Sequence, residues 1–327
     1  MTRGAGRVLI TSHTAQLTPG DHLARLREGG CEVISSPYPR PATEEELLPL
    51  LAGVDAVLAG TDSFTRRVFE AAPQLKVVAR FGVGYDAIDV QAATEHGVWV
   101  TTTPGTNEVA VADLTLGLIL ALARQIVPLA SATRRGQWER PLGVELAGTT
   151  LGLIGFGRIG RQVARRAAAF GMEVVVYDLV RDEAAASACG ARYVELQELL
   201  SESDFVSLHA PSTPATHQLI NATTLARMKP SAFLVNTARG ELVHEGELAQ
   251  ALREGRLAGA ALDVFRQEPP DPANPLLALP NVIPTPHVAG LTAESARRMA
   301  SLAVDNILAV LRGDRPPSPL NQPRAGA

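Results

Sequence analysis

Three polar side chains in the second half of the chain have the types that acid–base chemistry requires. Arg239 follows the apolar segment FLVNTA, Glu268 lies shortly after LDVF, and His287 follows IPTP. A guanidinium binds a carboxylate through two parallel hydrogen bonds, and histidine is the usual general acid or base near neutral pH. A neighbouring carboxylate orients such a histidine and favours its charged form. Each residue alone is more simply an exposed loop residue, but the three together could bind an acidic molecule and exchange a proton with it.

These side chains must be positioned by strands and helices. The clearest pattern of such elements lies upstream, at Thr149–Asp178. The sequence there reads as a strand, the turn GFGRIG, an amphipathic helix, a second strand and an acid. Gly155 allows the tight turn, Gly157 lets the backbone approach a pyrophosphate, and Gly160 lets the helix pack close to the strand. The helix N-terminus offers free N–H groups to phosphates. The stretch therefore predicts a dinucleotide site.

The acid at the end of this stretch indicates which dinucleotide is bound. Asp178 lies where a carboxylate accepts hydrogen bonds from a ribose 2′-OH, and it would repel the 2′-phosphate of NADP. Arg181 is nearby and keeps NADP open as an alternative, since an arginine can accommodate that phosphate. We predict NAD as the cofactor.

Composition limits the remaining classes of function. The chain has 327 residues, 46% of them hydrophobic, and a net charge of −4, which predicts about two domains and no nucleic-acid partner. Cys31 and Cys189 fit no metal or CxxC spacing, so we expect no metal and reduced thiols in the cytoplasm. The N-terminal apolar run is too short for a signal peptide. The apolar stretch Leu114–Ala123 is too short to span a bilayer.

Strands alternate with helices along the chain, which indicates βαβ units and parallel sheets. The predicted strands are Arg7–Thr11, Cys31–Ser36, Asp55–Gly60, Leu75–Arg80, Gly97–Thr101, Phe205–His209, Phe233–Thr237 and Ala258–Val264. Thr43 with Glu46 forms a capping-box pattern, and Thr292–Leu311 is predicted to be a long helix. We expect the first and last segments to form one domain together, with the ligand in the cleft between it and the dinucleotide domain.

Two further segments carry expectations of their own. Asn107–Arg124 is a helix that is apolar almost all round, so it is either buried within the chain or packed against another subunit. The second alternative predicts a homodimer. The segment 313–327 is rich in proline and glycine, and we expect it to be poorly ordered.

The motifs GFGRIG, HAPST, NTARGELVHEGELAQAL, ALDVF, QEPP, TPHVAG and RFGVGYDAID resemble those of the NAD-dependent D-isomer-specific 2-hydroxyacid dehydrogenases. The resemblance covers almost the whole chain, in the family's order, and is closest to the 3-phosphoglycerate dehydrogenase-like branch. It implies an α/β fold of two doubly wound parallel-sheet domains, a Rossmann NAD-binding domain inserted into a flavodoxin-like substrate domain. The implied domains are 1–102 with 291–327 for the substrate and 103–290 for NAD.

The resemblance also implies a reaction and the residues that perform it. Hydride would pass between NAD(H) and C2 of a D-2-hydroxy acid or 2-oxo acid. Arg239 would bind the substrate carboxylate, His287 would donate or accept the proton, and Glu268 would hold His287 and raise its proton affinity. The implied cofactor-binding residues are Gly155, Gly157, Arg158, Ile159, Gly160, Asp178, His209, Ala210, Pro211, Thr237, Ala238 and Asp263, the last at the nicotinamide carboxamide. The implied substrate contacts are Arg80 and the backbone N–H groups at Val83 and Gly84.

The substrate itself is left open by the resemblance. In the phosphoglycerate branch the strand matching DAVLAG ends in an arginine that meets the substrate phosphate, whereas here the position is Ala59. Arg80 matches another basic position of that branch. The expected activities are therefore 3-phosphoglycerate oxidation or, as the alternative, reduction of glyoxylate or hydroxypyruvate.

Two other classes of protein share part of this pattern. An NAD-sensing module with the same fold and little turnover would share every motif given above, so it stays an alternative. A short-chain reductase requires a lysine four residues after a tyrosine, and here Tyr177 is followed at that spacing by Arg181. That class is therefore set aside.

Overall fold

The computed structural model describes residues 6–323, and its internal contacts divide them into two compact units. One unit comprises 6–107 with 290–323, and the other comprises 108–289. The strands are β1 Gly6–Ile10, β2 Cys31–Ser35, β3 Ala56–Ala59, β4 Val77–Arg80, β5 Trp99–Thr101, β6 Thr150–Ile154, β7 Glu173–Tyr177, β8 Ala191–Tyr193, β9 Phe205–Leu208, β10 Phe233–Asn236, β11 Gly259–Leu262 and β12 Val282–Pro284. The helices are α1 His13–Leu17, α2 His22–Glu28, α3 Glu44–Leu50, α4 Arg66–Ala71, α5 Val90–Glu95, α6 Glu108–Ala123, α7 Ile126–Arg134, α8 Arg158–Ala169, α9 Glu183–Ala188, α10 Leu196–Glu202, α11 Ala222–Leu225, α12 Glu245–Arg253 and α13 Ala293–Leu311.

The unit formed by both chain ends contains a five-stranded parallel sheet in the order β2-β1-β3-β4-β5. This is the flavodoxin-like order of a doubly wound sheet. Every residue of β3 is buried, as expected for a strand covered on both faces. The capping box of Thr43 and Glu46 is present at the start of α3. Thr292 caps α13, whose buried face lies in the same core cluster as residues of β3 and β4.

The sequence predicts poor order for the segment after α13, but the structure pairs part of this segment with β5. Thr101 and Pro319 form an antiparallel bridge, and the Leu320 N–H donates to the carbonyl of Val100 at 2.8 Å. The Asn321 side chain accepts a hydrogen bond from the Val100 N–H, also at 2.8 Å. The expectation was wrong for these residues because their partners lie on β5, more than two hundred positions away. The end of the segment, 324–327, lies outside the described residues.

The second unit contains a seven-stranded parallel sheet in the order β12-β11-β10-β9-β6-β7-β8. Counted from β6, this is the Rossmann order 3-2-1-4-5-6 with one strand added. The order reverses where β6 meets β9, and ligands of such sheets bind beyond the carboxyl ends of the strands at that point. The predicted fold class, two doubly wound parallel sheets, is therefore confirmed.

The apolar helix α6 is packed within this unit. Residues from Ala112 to Ala123 lie in one core cluster with Val163 of α8 and Val235 of β10. Val109 of α6 is 41% exposed, and further exposed apolar side chains lie in α7 and the segment that follows it. They are Ile126, Val127, Trp138, Leu142 and Val144.

No single helix between residues 6 and 323 has the length and apolar character that crossing a membrane requires, although α6 and α7, bent by 63°, pass that test as a pair. The same part of the chain contains no group of three or more His, Cys, Asp and Glu side chains arranged to hold a metal ion. Cys31 and Cys189 are buried free thiols. Burial raises the pKa of the Cys31 thiol, and the negative charge of Asp55 raises it further.

Candidate active site

The glycine turn after β6 has the geometry that its sequence predicts. Gly155 has φ of +99°, and a Cβ there would lie 2.5 Å from the backbone carbon of His209. A Cβ on Gly160 would lie 2.3 Å from the carbonyl oxygen of Gly155. At Gly157, in contrast, an added Cβ would meet no described atom within 4 Å, and this residue is the N-cap of α8. The open backbone at Gly157 and the following helix N-terminus fit a pyrophosphate group.

Asp178 lies at the end of β7, beside this turn. Its Oδ2 accepts a hydrogen bond from the Phe156 N–H at 2.7 Å, and its Oδ1 accepts one from the Val180 N–H at 3.0 Å. Both bonds fix the carboxylate in the place where a ribose diol is recognised in such folds. Arg181 pairs with Glu195 at 2.6 Å instead. At the start of α8, Arg158 is exposed and Ile159 half-buried.

His209 follows β9 on the other side of the turn. Its Nε2 lies 2.9 Å from the Ser207 hydroxyl. Its Nδ1 is buried and has no hydrogen-bond partner among the described residues. Burial lowers the pKa of His209 to about 3, so the ring is neutral at physiological pH. Ala210 next to it is half-buried, and Pro211 is exposed.

Arg239 is positioned by a turn that the sequence analysis missed. The buried amide of Asn236 donates to the carbonyl of Arg239 at 2.8 Å and accepts from the Ala238 N–H at 3.0 Å. The Thr237 hydroxyl lies 3.0 Å from that of Thr115 on α6. The signal was present in the motif NTARG, because asparagine side chains commonly close turns with the residues that follow them.

Glu268 and His287 form the acid–base pair that their residue types predict. The Nδ1 of His287 lies 2.6 Å from Oε2 of Glu268, and the other carboxylate oxygen accepts from the Phe265 N–H at 3.1 Å. Partial burial raises the pKa of Glu268. Its net pKa is nevertheless below the ordinary value, because of the hydrogen bond to His287, the charge of His287, the Phe265 N–H and the charge of Arg239. The side chains of Glu268 and His287 remain 36% and 41% exposed, so an outside molecule can reach them.

Asp263 holds the segment that carries His287. Its carboxylate, 1% exposed, accepts hydrogen bonds from the Thr285 hydroxyl at 2.6 Å and from the N–H groups of Val288 and Ala289 at 2.9 and 2.8 Å. The N–H of His287 donates to the Asp263 carbonyl at 2.8 Å. These bonds hold His287 in the left-handed region, with φ of +53°. Both oxygens of Asp263 thus orient the histidine segment, while its predicted contact with a carboxamide remains a prediction.

The three predicted catalytic residues follow three neighbouring strands of one sheet. Arg239 comes after β10, Glu268 after β11 and His287 after β12, and these strands are adjacent. Since all three strands are parallel, their carboxyl ends lie along one edge of the sheet. A cation and a hydrogen-bonded acid–base pair on this edge can bind a carboxylate and transfer a proton to or from the molecule that carries it.

The predicted substrate contacts belong to the other unit. Arg80 ends β4, and its guanidinium donates to the carbonyl of Phe81 and lies 3.0 Å from where a Cβ of Gly82 would be. Val83 is 39% exposed and Gly84 is half-buried. Ala59, where the phosphoglycerate branch has an arginine, is fully buried.

A Rossmann sheet with an open glycine turn, an acid at the end of its second strand and a hydrogen-bonded Glu–His pair at its strand ends is typical of a nicotinamide-dependent oxidoreductase. The family comparison is more specific. Residues 116–289 match the model described as "D-isomer specific 2-hydroxyacid dehydrogenase, NAD binding domain". The chain belongs to the D-isomer-specific 2-hydroxyacid dehydrogenase family, and it is an NAD-dependent D-2-hydroxyacid dehydrogenase that acts on a small hydroxy or oxo acid.

Individual relatives agree with this assignment. The chain is 45% identical to a glyoxylate reductase of Korarchaeum cryptofilum over 86% of this chain and 87% of that protein. It is 44% identical to a D-3-phosphoglycerate dehydrogenase of Methanocaldococcus jannaschii over 86% of this chain but 54% of that protein. Among solved structures, the TT0316 protein of Thermus thermophilus matches 96% of this chain and all of its own with a TM-score of 0.88 and 44% identity. The predicted family, fold and cofactor are confirmed, and the relatives favour the glyoxylate alternative over phosphoglycerate.

Proposed function

We propose that this dehydrogenase reduces a small unphosphorylated 2-oxo acid, of the glyoxylate or hydroxypyruvate type, to the D-2-hydroxy acid. The observation that carries the proposal is the Glu268–His287 pair at 2.6 Å, on the same sheet edge as Arg239. The similarity to a glyoxylate reductase along nearly its full length and the apolar, buried Ala59 support an unphosphorylated substrate. Oxidation of 3-phosphoglycerate is the second candidate, because a phosphoglycerate dehydrogenase is almost equally similar over the part that matches.

The residues of the chain have separate roles in this reaction. Arg239 binds the substrate carboxylate through paired hydrogen bonds and polarises the neighbouring oxo group. His287 donates a proton from its Nε2 to the oxo oxygen, because its Nδ1 is occupied by Glu268. Glu268 keeps the ring oriented through this hydrogen bond. In the oxidation direction the same histidine accepts the hydroxyl proton.

The dinucleotide is held by the turn and the acid described above. Gly155, Gly157 and Gly160 shape the pyrophosphate site, and Asp178 binds the ribose of the adenosine half. When bound, NAD(H) supplies or accepts the hydride at C2 of the substrate. The unit 108–289 then holds the cofactor and also carries Arg239, Glu268 and His287. Arg80 and the loop after it, in the other unit, are proposed as further substrate contacts.

We also propose that the protein is a homodimer of the cytoplasm. The exposed apolar side chains of α7 and of the segment after it, which are close together in the sequence, support an interface there, since large exposed apolar surfaces mark interaction sites. Trp138 is 81% exposed and Leu142 94%. Sedimentation at micromolar concentration should give the mass of a dimer, and a monomer would contradict this part of the proposal.

One assay tests substrate and cofactor together. The absorbance of NADH and of NADPH is followed with glyoxylate, hydroxypyruvate, phosphohydroxypyruvate and 2-oxoglutarate. We expect the highest kcat/KM for NADH with glyoxylate or hydroxypyruvate. A preference for phosphohydroxypyruvate would favour the second candidate. NADH binding without turnover on any oxo acid would favour an NAD-sensing module.

A pair of histidine variants tests the mechanism. We expect His287→Gln to lower kcat by about 10²–10⁴-fold, the contribution of a general acid or base, with NADH affinity unchanged. His217→Gln is the matched control, because His217 is an exposed histidine of the same unit. Turnover near that of the wild type in His287→Gln would reject the proposed role.

A further inference from the structure

We propose that Glu245 is a positioning residue for the Glu268–His287 pair, acting as a bridge between the segment that carries Arg239 and the loop that carries Glu268. The inference rests on the proposed function, because it gives Glu245 a role through those residues. Glu245 is the first residue of α12 and comes shortly after Arg239 along the chain.

The carboxylate of Glu245 accepts hydrogen bonds from both ends of the segment 266–274, which carries Glu268. Its Oε1 accepts a hydrogen bond from the Arg266 N–H at 2.7 Å. Its Oε2 accepts one from the Asn274 side-chain amide, also at 2.7 Å. Asn274 in turn caps the short 3-10 helix that follows, accepting from the Leu276 N–H at 3.0 Å. The segment between residues 266 and 274 is thereby fixed to α12 at two points.

The peptide that Glu245 holds is also in close contact with the residue after Arg239. A Cβ on Gly240 would lie 2.0 Å from the carbonyl carbon of Phe265 and 2.3 Å from the nitrogen of Arg266. Only a glycine allows this approach of two backbones. The N–H of Phe265 donates to Glu268 itself. A shift of this peptide would therefore move Glu268 relative to both Arg239 and His287.

A purely structural role is the competing explanation. A carboxylate in the first turn of a helix interacts favourably with the helix dipole, and Glu245 could stabilise α12 without affecting the active site. The two explanations differ in one respect. Positioning requires that Glu245 acts through Glu268, whereas helix stabilisation does not.

The primary variant is Glu245→Gln, which keeps the side-chain length. A glutamine has one acceptor oxygen and one donor NH₂ group, so it cannot accept from Arg266 and Asn274 through separate oxygens, and the bridge is broken. We expect kcat to fall by about ten- to a hundred-fold, the loss typical of a misplacement near 1 Å, while the Kd for NADH changes less than about two-fold. Glu254→Gln is the matched control, because Glu254 lies at the other end of α12 and contacts Gln250 and Arg256.

A double-mutant cycle with Glu268→Gln separates the two explanations. If Glu245 acts through Glu268, adding Glu245→Gln to the Glu268→Gln variant lowers kcat no further, because coupled residues are non-additive. Independent, multiplied losses would overturn the proposal, as would a kcat of wild-type size in Glu245→Gln alone. If Glu245→Gln does not fold, Asn274→Ala removes one arm of the bridge, and the same cycle is measured with it.

Failure of this inference can be told from failure of the proposed function. Full activity of His287→Gln would reject the proposed function, regardless of the activity measured for Glu245→Gln. Loss of activity in His287→Gln together with a fully active Glu245→Gln would reject only the bridge.

Discussion

The imidazole of His209, whose Nδ1 is buried, should make the stability of the protein depend on pH. Burial lowers the pKa of His209 from 6.5 to about 3, so the folded chain keeps this ring neutral where the unfolded chain protonates it. Below pH 6.5 the unfolded state therefore binds more protons, and the free energy of unfolding falls as the pH falls. The loss accumulates between pH 6.5 and about 3 and is absent above pH 7.

The size of the effect follows from these two pKa values. One pH unit within this window corresponds to about 1.4 kcal/mol, so lowering the pH from 7 to 5 should remove about 2 kcal/mol of stability through His209 alone. This is a large share of the ~5–15 kcal/mol by which native proteins are stable. The variant His209→Gln has no titrating group at this position, and its amide can still reach the Ser207 hydroxyl.

The assay is urea unfolding followed by circular dichroism at pH 7 and pH 5, without cofactor. We expect the wild type to lose about 2 kcal/mol more than His209→Gln between the two pH values, whatever the absolute stability of the variant. Other groups titrate equally in both proteins and cancel in the comparison. Equal losses in the wild type and His209→Gln would show that burial does not keep this ring neutral.

Two further predictions concern the cofactor site. Gly157→Ala should fold normally, since no described atom lies within 4 Å of the added Cβ. It should nevertheless raise the Kd for NADH about ten-fold or more, because the added methyl group blocks the pyrophosphate. Gly160→Ala should instead lower the unfolding midpoint, because its Cβ would lie 2.3 Å from a carbonyl oxygen. NADH titration and thermal unfolding of both variants check this pair, and unchanged NADH binding in Gly157→Ala would contradict it. Asp178→Asn should reduce the preference of kcat/KM for NADH over NADPH, because it removes the charge that repels a 2′-phosphate. An unaltered ratio of kcat/KM for the two cofactors would show that Asp178 does not select between them.

Features that depend on residues close together in the sequence could be predicted from local sequence patterns. The glycine turn could be predicted from GFGRIG because each glycine meets a requirement of its own immediate backbone, such as the positive φ of Gly155. The parallel sheet of the first unit could be predicted from the alternating strands and helices, whereas its flavodoxin-like type followed from the resemblance. The positions of Arg239, Glu268 and His287 in the sequence also predicted that each of them follows a different strand.

Features that depend on distant partners could not be predicted in this way. Glu245 was not singled out, because its partner Arg266 lies 21 positions away and nothing near Glu245 marks the contact. For α6, an apolar surface all round is equally consistent with burial inside the chain and with burial against a second subunit. In the structure most of α6 is buried within its own unit. The exposed apolar side chains nearby are Val109 of α6 and those of α7 and the segment after it.

The pairing of residues 318–321 with β5 has a consequence for the surface of the first unit. A strand at the border of a sheet exposes N–H and C=O groups that can template the addition of a strand from another molecule, a common route to aggregation. Here the Leu320 N–H and the Asn321 side chain occupy these groups on Val100. Asn306 on α13 holds the same segment through the Ser318 N–H at 3.0 Å. The segment thus shields this border of the sheet from intermolecular β-pairing.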